Sequence, residues 1–452
     1  MSVGGAIPGL IPGLIVASPS SGSGKTILTS ALLRLLVTRG LRVGAAKLGP
    51  DYIDPAFHSL ASGSSCLNID LWAMRTATVS GLLDRLNRNA DIVVVEGVMG
   101  LFDGASDGGG STADFAQHTG WPVILVVDAR GQAASAGALV RGFASHRRGV
   151  TIAGVIFNRV GGAAHGAMLR AAVEALGIPV LGLVARDDRL NLPERHLGLV
   201  QAGEHDNIQK ILDGAAERCA TSIDVDALLA LARPMTAAAS PSAGCAIPPL
   251  GQRIAVASDS AFAFTYPALL EDWRSAGAEV LRFSPLADEA PANDADAVYL
   301  PGGYPELYAG PLAANAGFLD GLRKAAAQGA ALFGECGGYM VLGEGLTDAE
   351  GARHAMAGLL PLHSSFASPR LHLGYRQAQV LAAGPLGDAG ACYRGHEFHY
   401  ASVIDEGPGD PLFDCTDARG QALGTTGRRR GAVLGSFIHL IDRGEAQPVK
   451  AR

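Results

Sequence analysis

The sequence predicts an α/β protein of two domains, the first a doubly wound parallel sheet around a phosphate loop and the second a further α/β series. Three observations carry that prediction. Short Val/Ile-rich runs alternate with Ala/Leu-rich helical stretches through the first half of the chain, as buried parallel strands and their covering helices do. Periodicity is lost over residues 233–250, a stretch rich in Pro, Ala and Ser, which is the composition of a linker. A second series of strand-like runs then follows. The domains are accordingly expected at 1–232 and 251–452, with no internal repeat of fixed period.

In chain order, the first-half strands fall at 14–17, 42–47, 92–95, 123–127, 152–157 and 180–184, with helices such as 27–38 and 168–176 between them. The preceding IPGLIPGL stretch lacks the basic start and long apolar core of a signal peptide and reads as a lead-in to the first strand. Beyond the linker the strands fall at 253–258, 280–283, 297–301, 331–334 and 432–437.

Composition narrows the function. The 452 residues are 48% hydrophobic and 17% charged, which describes packed globular material. A net charge of −7 argues against non-specific nucleic-acid binding, and no polybasic segment offers itself to an anionic membrane. The six cysteines form no C-x-x-C pair, a usage that suits a reducing cytoplasm. No apolar run approaches the ~20 residues needed to span a bilayer.

The first chemical signal is Ser21-Gly22-Ser23-Gly24-Lys25-Thr26 between a strand and a helix. In that context backbone N–H groups, including those of Gly22, Ser23 and Gly24, and the helix end bind phosphate oxygens. Lys25 reaches the outer phosphates of ATP and the Thr26 hydroxyl ligates Mg²⁺. Pro19 stands where such loops usually begin with glycine. Asp51 follows the second strand and Glu96 ends the third. Parallel strands open their carboxyl ends on one edge, so both acids are placed to join Thr26 on magnesium, which takes oxygen ligands. Asn158, ending the fifth strand, either reads the adenine edge or serves as a local backbone partner.

The second signal is a thiol. Gly334-Glu335-Cys336-Gly337-Gly338 and the glycine pair Gly302-Gly303 each follow a strand. Flanking glycines relieve the crowding of a sharp strand-to-helix turn, and a helix N-terminus is expected to lower the thiol pKa. The N–H groups of Gly303 and Gly337 are candidates for stabilising an oxyanion. A base is required as well; His439 ends a late apolar strand, and His396 and His399 compete with it.

With these residues assembled, the chain resembles the corrin-ring a,c-diamide synthases of cobalamin biosynthesis over nearly its whole length. The motifs are the phosphate loop, KLGPDYIDP at 47–55, EGVMGLFDG at 96–104, LPGGYPE at 300–306, GECGG at 334–338, GHEFHY at 395–400 and SFIH at 436–439. The resemblance implies a dethiobiotin synthetase-like ATPase domain followed by a class I glutamine amidotransferase domain. It implies Mg²⁺ and ATP at the loop, with amidation of the a and c acetate carboxylates of the macrocycle. Cys336 becomes the nucleophile and His439 its base. Asp54 is assigned to orienting substrate or deprotonating ammonia, and Lys47 and Tyr52 to binding substrate. The small-molecule partners would be a corrinoid polyacid, glutamine and ATP, in a cytoplasmic homodimer. In the wider amidotransferase class an acid usually lies two positions after the histidine, and Ile441 occupies that place. Either Cys336 and His439 act as a dyad or another group orients the imidazole.

Three other readings compete. One is a diamide synthase for another tetrapyrrole, such as the nickel-sirohydrochlorin enzyme. Cobyric acid synthase is a second, although its phosphate loop is worded differently. The third is a partner-regulated ATPase switch of the cell-division or plasmid-partition type. Such switches lack the Cys336 domain and carry a lysine where this chain has Ser18.

Overall fold

Strands that are apolar on both faces must lie between two helical layers, and residues 12–185 are arranged in that way. The computed structural model describes residues 11–187, 194–195, 198–204, 207–236 and 244–444; residues 7–10 of the lead-in and 237–243 of the expected linker lie outside them. Two units are distinguished, Met1–Trp72 with Val79–Ser242 and Ala73–Thr78 with Ala243–Arg452.

In the first unit the elements run β1 (Pro12–Ala17), α1 (Lys25–Thr38), β2 (Val43–Leu48), α2 (Asp54–Ser62), β3 (Leu67–Ile69), α3 (Thr76–Asn87), β4 (Ile92–Glu96), α4 (Thr112–Thr119), β5 (Val123–Asp128), α5 (Ser135–His146), β6 (Ile152–Val160), α6 (Ala163–Glu174) and β7 (Val180–Ala185). A short ladder of β8 (Glu194–Arg195) and β9 (Gly198–Leu199) follows, then α7 (Ile208–Ser222), α8 (Val225–Leu231) and β10 (Arg233–Pro234). The sheet order is β3-β2-β4-β1-β5-β6-β7, and these seven strands pair in parallel. From β1 the chain first moves one way to β2 and β3, then returns across β1 to β5, β6 and β7. Right-handed crossovers in opposite directions place helices on opposite faces. Accordingly α1 packs with α2 and α7, while α5 packs with α6.

All six strands expected in the first half are present, each within a few residues of its sequence-derived limits. The expected linker begins differently: β10 pairs antiparallel with β1, and the buried Met235 follows it, so residues 233–235 pack against the first sheet.

In the second unit the elements are β11 (Arg253–Ala257), α9 (Pro267–Ser275), β12 (Glu279–Phe283), β13 (Ala297–Leu300), α10 (Ala309–Ala314), α11 (Ala316–Ala327), β14 (Ala331–Glu335), α12 (Gly337–Leu342), β15 (Gly345–Thr347), β16 (Arg353–Ala355), β17 (Leu362–Ser365), β18 (His372–Val380), β19 (Cys392–His399), β20 (Ser402–Glu406), β21 (Asp410–Asp417), β22 (Ala422–Arg430), β23 (Val433–Ser436) and β24 (Ile438–Arg443). The main sheet has the order β12-β11-β13-β14-β23-β22-β21-β18-β19-β24. Its first five strands are parallel; the rest pair antiparallel. Only Phe437 separates β23 from β24 in sequence, although four strands separate them along the sheet, so the antiparallel ribbon curls back to where it began. A smaller sheet, β16-β15-β17-β20, lies outside this path. At the N-terminal edge of this unit Ile247 is buried and its carbonyl accepts a bond from the Trp273 indole N–H (3.1 Å).

Gly13 in β1 shows how closely the first sheet is covered. A Cβ at that position would lie 2.3 Å from the ring of the buried Trp121. Overpacking of this kind costs about 1–3 kcal/mol. Gly13→Ala should therefore lower the thermal midpoint of the first unit by several degrees, at about 2–4 °C per kcal/mol. An unchanged melting curve would refute this packing account.

Candidate active site

The phosphate loop leaves β1 at Ala17 and enters α1 at Lys25. Gly24 caps the helix at φ +84°, in the left-handed region that glycine tolerates. A Cβ there would also lie 2.3 Å from Asn158 Nδ2. The Asn158 amide donates to the Ser23 carbonyl (3.0 Å) and its oxygen accepts the Arg159 N–H (2.9 Å). Asn158 thus braces the loop from β6.

Lys25 is buried, and its ammonium donates to Ser18 Oγ (2.8 Å) and to the Met99 carbonyl (2.7 Å). Burial pulls it down to about 8, with Glu96 opposing and Lys47 adding to the fall. Met99 presents that carbonyl from φ +46°, a strained conformation for a side-chain-bearing residue. At the adjacent Gly100 a Cβ would lie 2.6 Å from the Pro19 carbonyl oxygen. The segment after β4 therefore lies directly against the loop.

Parallel register sets Lys47 of β2 beside Glu96 of β4, so their side chains share one face. The Lys47 ammonium lies 2.9 Å from Glu96 and 2.5 Å from Asp54. Thr26 Oγ1 lies within hydrogen-bond distance of the same two carboxylates, 3.1 Å from Asp54 and 3.0 Å from Glu96. The other Glu96 oxygen meets His58 Nε2 at 2.5 Å, and His58 Nδ1 meets Ser30 Oγ at 2.9 Å. Burial favours the neutral acid in Glu96, yet Lys47 and His58 hold it well below the usual carboxylate range. Asp54 moves the other way, pushed up to about 7 by burial and by Asp51. Although burial disfavours its charge, Asp54, Glu96 and Asp51 hold the Lys47 ammonium well above its ordinary value.

Thr26, Asp54 and Glu96 thus converge, whereas Asp51 stands one step away. One Asp51 oxygen accepts the N–H groups of Ile53 and Asp54 (2.8 and 3.0 Å), fixing the entry to α2, and the other lies 3.7 Å from Lys47. Tyr52 is half-buried in the same turn, and Gly22 lies exposed at the loop's surface.

In the second unit Cys336 sits between β14 and α12 at φ +48°. Glycines surround it because nothing larger fits. A Cβ at Gly338 would fall 1.9 Å from the Leu300 carbonyl oxygen, and one at Gly303 would fall 2.0 Å from that of Ala261. A Cβ at Gly337 would stand 3.1 Å from the Gly303 nitrogen, which brings the two oxyanion candidates together. A Cβ at Gly302 would meet His439 Nε2 at 3.2 Å and Cys336 Cβ at 3.4 Å. The Cys336 and His439 side chains therefore both flank Gly302.

The electrostatics correct one expectation. Burial pushes the Cys336 thiol well above its ordinary value and Glu306 adds to this, against the Gly337 N–H. A six-residue helix is too short to reverse that, so the resting thiol is protonated. Burial also pulls His439 down to about 3, with His396 and His399 adding to the fall and Glu397 opposing. The resting pair is neutral, and thiolate forms when the proton passes to the imidazole.

Of the competing histidines, His396 is the cross-strand partner of His439, and His399 meets Glu397 at 3.0 Å. His372, Glu397 and His399 bring ligand atoms within 4.8 Å of one another, but Arg376 already lies 2.7 Å from Glu397.

Sequence reasoning missed Ser18 and Met99, which hold Lys25, and His58, which holds Glu96. His58 lies one helical turn after Asp54, a spacing that puts both on one face; that was the available signal. The Met99 contact comes through a carbonyl, for which side-chain patterns carry no signal.

Residues 14–200 match a CobQ/CobB/MinD/ParA nucleotide binding domain and residues 253–446 a CobB/CobQ-like glutamine amidotransferase domain. A hydrogenobyrinate a,c-diamide synthase of Brucella anthropi is 54% identical over 95% of this chain and 98% of its own. One of Rhizobium meliloti is 52% identical over 96% of this chain and 100% of its own. Among solved structures, a glutamine amidotransferase is similar at 20% identity and TM-score 0.28, covering 42% of this chain and 90% of its own; this likeness is too slight to carry weight. No helix among the described residues is long and apolar enough to cross a membrane.

Removing Lys47 would take the ammonium from buried Glu96 and half-buried Asp54, and breaking a buried pair costs about 3–5 kcal/mol. Lys47→Met should lower the denaturant midpoint accordingly, and Lys47→Met/Glu96→Gln should recover part of the loss; equal midpoints for the two variants would refute the charge argument. A pH test applies to Glu397, which His399 and Arg376 hold at about 2 against the effect of burial. Its folded pKa lies below its ordinary 4.5, so its contribution is full above that value and is lost as pH falls towards 2. The stability gap between the protein and Glu397→Gln should therefore narrow between pH 5 and 3, from about 3 kcal/mol. Parallel pH profiles would contradict it.

Proposed function

The chain belongs to the cobyrinic/hydrogenobyrinic acid a,c-diamide synthase family, and from that premise we infer that it amidates the a and c acetate carboxylates of such a ring in cobalamin biosynthesis, using ATP and glutamine. The observation that carries this reading is the presence of both sites in one chain, a phosphate loop at Lys25–Thr26 and a thiol–imidazole pair at Gly302, in a sequence that aligns with such synthases over 95% of its length. The relatives' names favour the metal-free ring, hydrogenobyrinic acid. Assembly as a homodimer belongs to the same reading, as does a cytoplasmic location, which the cysteine usage also favours.

In the first unit the substrate carboxylate attacks the γ-phosphorus of ATP. The bond to the bridging oxygen breaks, ADP leaves, and an acyl phosphate forms; ammonia then displaces phosphate to give the amide. The N–H groups of Gly22, Ser23 and Gly24 hold the phosphates, and Lys25 neutralises charge on the transferred group. Asn158 keeps the loop in shape. The oxygens of Thr26, Asp54 and Glu96 are the hard donors that Mg²⁺ takes, with Asp51 the next acid beside them. When bound, the ion supplies further charge neutralisation at the phosphates. Tyr52 is assigned to the acidic substrate, while Lys47, buried against Asp54 and Glu96, holds those two carboxylates in place beside it.

In the second unit the Cys336 proton passes to His439 Nε2 as sulfur attacks the glutamine amide carbon. The N–H groups of Gly303 and Gly337 receive the developing oxyanion. His439 returns its proton to the departing ammonia, and water cleaves the thioester to release glutamate.

Mass spectrometry of hydrogenobyrinic acid incubated with the protein, Mg²⁺-ATP and glutamine should find two amides added to one ring; an unaltered ring would overturn the reading. Cys336→Ala should abolish glutamine-dependent synthesis and spare synthesis from free ammonia. Lys25→Ala should reduce both syntheses by at least about a hundredfold while glutamine hydrolysis continues.

A further inference from the structure

Ile441 leaves His439 without the acid usual to its class, yet the imidazole is not far from a carboxylate. Glu335, the residue immediately before the nucleophile, places Oε2 3.8 Å from His439 Nδ1. The Cε1–Nε2 edge of the ring faces Gly302, where a Cβ would meet Cε1 at 2.4 Å, Nε2 at 3.2 Å and Cys336 Cβ at 3.4 Å. Nδ1 is thus the ring nitrogen on the side of the carboxylate, and Nε2 the one on the side of Gly302 and Cys336. We propose that Glu335 is the positioning acid of the glutaminase site, holding His439 with Nε2 turned to Cys336 and stabilising the imidazolium that forms when the thiol proton arrives. The inference rests on the glutaminase reading above.

Glu335 is built for a fixed orientation. It is buried at the end of β14; Oε1 accepts the Leu440 N–H (2.9 Å) and Oε2 accepts the Tyr299 hydroxyl (2.7 Å). Leu440 follows His439 directly, so the bond to its N–H ties the carboxylate to the strand carrying the imidazole. β14 and β23 pair with Glu335 opposite Ser436, which brings the turn into β24 alongside. Between neutral partners 3.8 Å is a weak contact, and such distances tighten as charge develops on the ring. Burial holds Glu335 up at about 7, with the Leu440 and Tyr299 bonds opposing. The other groups acting on the pair are His396, His399 and Glu397 around His439; Tyr299 on Glu335 is itself held well above its ordinary value, by burial first and then by Glu335 and Tyr266.

Glu335→Gln is the decisive substitution, because an amide can still accept from Leu440 and pair with Tyr299 while removing the negative charge. Relative to the unaltered protein, kcat for glutamine hydrolysis should fall about a hundredfold or more. KM for glutamine should stay within about threefold, since the acid does not touch substrate. The acid limb of the hydrolysis pH profile, expected near 7, should disappear. Ammonia-dependent synthesis should be unchanged, which verifies folding. Tyr299→Phe gives a second readout: losing its bond raises the Glu335 pKa, so the acid limb should move to higher pH and activity should recover in alkali. Unchanged kcat and pH profile in Glu335→Gln, alongside a Cys336→Ala that cannot use glutamine, would overturn the role of Glu335 and leave the glutaminase reading standing. If Cys336→Ala itself still hydrolyses glutamine, both fall.

Discussion

A carboxylate sealed from solvent at the end of a central strand cannot remain charged without donors, and the first unit is organised around supplying them to Glu96. Its three hydrogen-bonding partners come from separate elements, Thr26 from α1, Lys47 from β2 and His58 from α2, and the Lys25 charge adds to their effect at longer range. Each is delivered by the parallel topology, which brings the ends of β1, β2 and β4 to one edge. The same arrangement leaves Asp54 on the opposite side of the Lys47 ammonium with a much weaker hold on its charge. Two carboxylates sharing one ammonium therefore differ in how firmly their charge is held.

The second unit is governed by backbone space. A cysteine at φ +48° requires that the chain around it approach unusually closely, and four glycines from two strand ends permit it. Electrostatics there act in reserve. Both reacting groups are neutral at rest, so the energetic work of creating a thiolate falls on the bound state, when substrate excludes water and donors are aligned.

Much of this was legible in advance, for a physical reason. Strands buried on both faces, such as IVVVE at β4, are written as continuous apolar runs, and glycine-bounded turns announce the two loops. The antiparallel ribbon was not legible. Strands such as HLGYRQAQV and ALGTTGRRR are half-exposed, and their mixed faces hide the alternation. In the sites, residue types were readable and partners were not. Asp51 and Glu96 looked equivalent in sequence, but Asp51 serves its own turn while Asp54 reaches Thr26. Asn158 likewise serves the loop's backbone. The expected low thiol pKa failed because burial outweighed a six-residue helix.

The return of the ribbon onto itself has a mechanical consequence. Since Phe437 alone joins β23 to β24, the strand beside the nucleophile and the strand bearing His439 are the two ends of one hoop. Any change of stagger among the intervening strands must reappear at that seam as a shift of imidazole against sulfur. Surface turns such as the one between β21 and β22 can therefore vary in length freely, whereas slippage anywhere around the hoop would detune the reaction from a distance.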